Sequence, residues 1–121
     1  VRRAGGGRRR DAGQATVLTL AGVVVLLGLT LGGLEVTRAI TLAHRARSAA
    51  DLSALAAARV VAVGWDVRSA CARAVLVAGA NGARVSACAW AADGSVAVTV
   101  AVDSARPWSR TAVSTARAGP G

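Results

Sequence analysis

Residues 12–34 read AGQATVLTLAGVVVLLGLTLGGL, 23 consecutive residues without a charge. A membrane hydrocarbon core of about 30 Å takes roughly 20 apolar residues as a helix, so this run is long enough to span one. Leu18, Leu20, Val23, Val24, Leu26, Leu27, Leu29 and Leu31 carry its apolar weight. Arg2, Arg3, Arg8, Arg9 and Arg10 precede it with only Asp11 to offset them, whereas the following flank is mixed, with Glu35 close to Arg38. Arginine is retained on the cytoplasmic side, which predicts a single-pass anchor in the cell membrane, the N-terminus cytoplasmic and residues 35–121 extracytoplasmic. A cleaved secretory signal shares the basic and apolar regions. The run is long for such a signal, however, and Gly32-Gly33-Leu34 leads straight into Glu35-Val36-Thr37-Arg38, which reads as continuing helix.

Outward from the run, the chain divides into four stretches. Residues 1–11, with Gly5-Gly6-Gly7 between arginine clusters, read as a disordered basic cytoplasmic tail. Residues 12–34 are the transmembrane segment, 35–103 an exported α+β domain, and 104–121 a loosely ordered tail. Residues 36–62 hold neither Gly nor Pro and are dense in alanine, so the helix that starts near Ala15 is expected to run on to about residue 62. Ala39, Ala43, Ala46, Ala49, Ala50, Ser53 and Ala57 make a narrow stripe of small side chains suited to close packing. Gly64 is placed to stop that helix and Asp66 to cap a second over about 67–79, which Asn81-Gly82 ends. The period then changes from 3.6 to 2. Residues 83–91 and 95–102 alternate around Asp93-Gly94, which predicts a hairpin with a two-residue turn. That turn pairs Ala91 with Val96, Ala89 with Val98, Ala87 with Val100 and Val85 with Val102, leaving Cys88, Trp90, Ala97 and Thr99 on the other face.

Charge and composition narrow the function. The net charge is +9, but the tail of five arginines and one acid accounts for four of it, and topology explains those. The other ten arginines are scattered, and Trp65, Trp90 and Trp108 are the only aromatics, which speaks against a nucleic-acid surface and leaves mild attraction to anionic membrane lipid or cell-wall polymers. Cys71 and Cys88 both fall in the exported part, where a pair is usually a disulfide. Closing that loop is worth roughly 3 kcal/mol on the chain-entropy argument. Two thiols and the single His44 do not make a metal centre. No serine, histidine and acid are placed to share a pocket, so neither an enzyme nor a cofactor is expected.

Particular residues point to a family. Arg10-Asp11-Ala12-Gly13-Gln14-Ala15-Thr16-Val17 resembles the R-x-x-G-x-A-x-V opening of TadE/TadG-like proteins of the Flp (tight-adherence) pilus assembly system. Glu35-Val36-Thr37-Arg38 resembles the acid-x-x-Arg that follows their span. The block Arg45-Ala46-Arg47-Ser48-Ala49-Ala50-Asp51-Leu52-Ser53-Ala54-Leu55-Ala56-Ala57-Ala58 resembles their R-x-x-x-A-A-D-x-x-A-L-A-A-A. The G-x-A-T-V variant is similar to short actinobacterial TadE-like proteins. The resemblance covers about residues 10–60. It implies a pilin-like α+β fold: a long N-terminal transmembrane helix continuing into an exported spine, a short second helix and a C-terminal β-hairpin. It also implies a candidate prepilin-type processing site between Gly13 and Gln14. Many processed pilins carry Glu five residues on, where it neutralises a neighbouring α-amino group inside the filament. Here that position is Leu18, which argues against a place in the filament body.

Gly28-Leu29-Thr30-Leu31-Gly32 lets two helices approach closely, so Gly28 and Gly32, with Ala49, Ala50 and Asp51, are the expected helix-packing residues. Asp51 either pairs with Arg47 one turn before it or recognises a partner. The function expected is that of a TadE-like pseudopilin or accessory membrane subunit of a Flp/Tad pilus or related secretion assembly. Its partners would be other pilin-like or secretion-platform membrane proteins, met as a homo- or hetero-oligomer through the span. The alternative is a bitopic envelope protein with a disulfide-stabilised outer binding domain unrelated to pilus assembly.

Overall fold

The computed structural model describes residues 8–106, 108 and 110–120. The elements in order are α1 (Arg8–Ala62), α2 (Val67–Ala80), β1 (Arg84–Trp90), β2 (Val96–Val102) and β3 (Ala112–Ala118). This is the α+β order expected, with one strand more. Two units divide at Arg38 and Ala39, within α1.

In the first unit α1 begins at Arg8, ahead of the expected start near Ala15. Arginine is a good helix former, and extending an existing helix avoids the cost of a new nucleus. The rest of the expected tail, residues 1–7, lies outside the described residues. From Gly13 to Arg38 every side chain is exposed.

The second unit has a core of alanine and valine. Along α1, Ala46, Ala49, Ala50, Ser53, Ala54 and Ala57 are buried, a spacing of three and four that keeps them on one face. Alanine loses no rotamer entropy on burial, so a seam of it packs cheaply. The seam shares one cluster with Val96, Val98, Val100 and Val102 of β2 and with Ala70, Ala74 and Ala78 of α2. The three strands form an antiparallel sheet in the order β1-β2-β3. β2 is central, which is why its four valines are the most buried of any strand.

Both helix ends close as glycine permits. Gly64 adopts φ +87°, its N–H donates to the Val61 carbonyl at 2.9 Å, and the Trp65 N–H reaches back to Val60 at 3.2 Å. Gly82 at φ +70° repeats the arrangement on Gly79 and Ala78. These are Schellman closures, in which a left-handed residue satisfies the last carbonyls. Asp66 caps α2 as expected, accepting from the Ser69 N–H.

The hairpin departs from expectation. The Ala91 N–H donates to Ser95 at 2.9 Å and the Gly94 N–H to Ala91 at 3.0 Å, so the loop holds Ala92, Asp93 and Gly94. A two-residue turn of mirror-image type needs positive φ at Asp93 as well as Gly94. Among the described residues only glycines have positive φ. Asp93 instead accepts from the Ser95 N–H at 2.9 Å and from its hydroxyl at 2.6 Å. The extra loop residue slips the register by one: Trp90 faces Val96, Cys88 faces Val98 and Ala87 faces Thr99. A one-residue slip carries side chains to the opposite face, so Cys88 joins the valine side rather than opposing it. A bulge between Val85 and Ala87 then returns Val85 to Val100.

The expected loose tail is also corrected. Residues 112–118 pair along the whole of β2, from Val102 with Ala112 to Val96 with Ala118. Ala112, Ser114, Ala116 and Ala118 point inward and Val113, Thr115 and Arg117 outward. Small inward residues suit a strand at the sheet margin, and they are why its alternation is weak in sequence. Gly119 ends the strand where a Cβ would lie 2.7 Å from Ser95 Cα.

Candidate functional site

The first unit offers a helical surface rather than a pocket. Leu18, Leu20, Val24, Leu26, Leu29 and Leu31 are all more than half exposed. The helix is long and apolar enough to cross a membrane by length and composition. Its hydroxyls are internally satisfied: Thr19 donates to the Ala15 carbonyl at 2.8 Å, Thr30 to Leu27 at 2.9 Å and Thr37 to Gly33 at 2.9 Å. Back-bonding of this kind lets threonine enter lipid without a stranded donor. Glu35 and Arg38 pair at 3.0 Å where the apolar run ends.

Gly28 and Gly32 lie one turn apart, and a Cβ built on either meets nothing within 4 Å. No contact inside this chain requires glycine there. Gly13 and Gln14 lie within α1, so the candidate processing site is helical.

In the second unit Cys71 and Cys88 are joined, with Cα atoms 6.0 Å apart. The bridge ties the first turns of α2 to the end of β1, two elements that also pack on one another through the shared core. Ala49 and Ala50 are 1% and 0% exposed within the chain's own core, so the packing they serve here is intramolecular. Asp51 is exposed beside them, and among the described residues no ion pair joins it to Arg47. His44 is exposed as well.

Three other carboxylates hold the unit's corners, and each has its pKa held below 3.8. The Ser69 hydroxyl and N–H do this for Asp66, and those of Ser95, helped by Arg117, for Asp93. For Asp103 the main cause is Arg84, whose guanidinium donates from two nitrogens at 2.9–3.1 Å, followed by the Thr111 hydroxyl at 3.0 Å. The Asp66 and Asp93 contacts are local, but Arg84 to Asp103 spans 19 residues, too far for spacing alone to reveal it. Together they fix the helix cap and the loops in which they sit.

No curated protein and no solved structure matches the chain. Residues 13–60 match a family model described as putative Flp pilus-assembly TadE/G-like. The match takes in the exposed apolar helix and the alanine seam and stops before α2 and the sheet. The stretch from Gly13 to Val60 is thus similar to Flp pilus-assembly TadE/G-like proteins, the family whose motifs it contains.

Proposed function

We propose that the chain is a TadE-like pseudopilin or accessory subunit of a Flp/Tad assembly, anchored in the cell membrane with its N-terminus cytoplasmic and its disulfide-closed head outside. The observation that carries this reading is the coincidence of the Tad-type segment with an apolar helix whose entire surface is left uncovered by the chain itself. A helix apolar all round is stable only in lipid or against other helices. The five N-terminal arginines support the orientation, and the bridged cysteines suit an oxidising compartment.

In this reading the protein works by packing. Gly28 and Gly32 offer a neighbouring span a place where backbones approach closely. Leu18 sits where a filament-core subunit would carry an acid, which favours an accessory role over a place in the filament body.

The glycines give a clean test. At Gly28 and Gly32 an added Cβ meets nothing within 4 Å and the helix surface around them is exposed, and leucine exceeds glycine in helix propensity by roughly 0.5–1 kcal/mol. The changes to test are Gly28→Leu and Gly32→Leu. The variants should therefore accumulate normally with the disulfide formed, yet lose co-purification with the other Tad-system membrane proteins and lose piliation. Unchanged co-purification and piliation would show that this face is not an assembly contact.

A further inference from the structure

Leu52 and Leu55 of α1, Val63 in the turn that follows it and Leu76 of α2 are 45, 47, 72 and 65% exposed. They line two adjoining depressions between the helices that share Val60, Val63 and Arg73. The positions 52, 55, 59 and 63 repeat at three and four along the end of α1 and just past it, a second stripe about two-fifths of a turn from the buried alanine seam. Apolar side chains left open along a two-helix groove mark a contact surface, and their ridge spacing suits a third helix.

The charges select the occupant. Arg59 and Arg73 are the charged side chains lining the groove, and no acid lines it. Among the described residues neither arginine is in an ion pair. A second copy is poorly matched, because the outer part of α1 carries Arg45, Arg47 and Arg59 against Asp51, and α2 carries Arg68 and Arg73 with no acid. Like charges face to face across such a contact are unfavourable.

We infer that this groove docks an amphipathic, acidic-flanked helix of a different polypeptide, its apolar residues seated on Leu55 and Leu76 and its carboxylates on Arg59 and Arg73. The inference rests on reading the chain as an assembly subunit and names the chemistry of one partner. It places the partner contact on residues of the second unit, separate from Gly28 and Gly32.

The test uses the full chain in intact cells, with a photo-crosslinking residue at Leu55 or, as control, at Thr115 on the outer sheet face. Adducts are mapped by mass spectrometry to the residue captured. An adduct from position 55 in an Asp/Glu-flanked apolar helix of another protein is the result expected. It should fall about tenfold in Arg59→Glu/Arg73→Glu and persist in Arg59→Lys/Arg73→Lys. An oxidised Cys71–Cys88 pair on a non-reducing gel confirms that each variant folds. Capture of a second copy, capture of lipid, no adduct, or an adduct indifferent to charge reversal would each overturn the proposal. Piliation of the crosslinker-free strain is scored separately, so failure of the groove and failure of the assembly reading are distinguishable.

Discussion

Ser53 lies in the middle of the alanine seam, fully buried, and its hydroxyl finds no hydrogen-bond partner among the described residues. A buried unpaired hydroxyl costs about 1–3 kcal/mol, and alanine fills the same space without it. Ser53→Ala should therefore raise the stability of the head by about 1 kcal/mol or more in urea unfolding. The opposite sign is expected at Val98, buried where the seam meets β2: Val98→Ala removes two methyl groups and leaves a cavity, a loss of about 2 kcal/mol. The capped carboxylates set the pH response. Asp66, Asp93 and Asp103 all have pKa values held below 3.8 in the folded chain. Their contribution is thus complete above that value and lost as pH falls through the lower folded values. A melting temperature flat from neutrality down to about pH 5 and dropping below about 4 is the expected profile.

At the scale of elements, α2 is held by two devices of different kinds, its Asp66 cap and the Cys71–Cys88 bridge. Asp66→Ala should cost about 1 kcal/mol. The Cys71→Ser/Cys88→Ser variant should lose about 3 kcal/mol, with wild type under reductant losing the same. The first device was legible because an aspartate after a Gly64 stop has one obvious use. The cysteine pair was legible because two cysteines in an exported domain have few alternatives. The hairpin register was not. Asp93-Gly94 fits both a two- and a three-residue loop, and only the Ser95 hydroxyl and N–H on the Asp93 carboxylate select the longer one. β3 was missed because Ala112, Ser114, Ala116 and Ala118 offer a weak apolar face, adequate only beside the valines of β2. The groove is also hidden in the sequence, since Leu52 and Leu55 belong to one alanine-rich block and only the burial of 49, 50, 53 and 54 sets them apart.

For the molecule as a whole, half of the surface logic concerns water and half does not. The second unit hides a small alanine–valine core under a bridged α+β shell. The first presents leucine and valine outward along a helix where the stretch similar to TadE/G-like proteins begins. Function on this reading is anchorage and packing. Anchorage is the premise of everything else, and intact mass under non-reducing conditions, measured on protein from membranes and from culture medium, tests it directly. A membrane-bound chain that retains residues 14–34 and lacks the two thiol hydrogens of Cys71 and Cys88 is the outcome expected. A chain cut beyond Leu34 and recovered from the medium would contradict it.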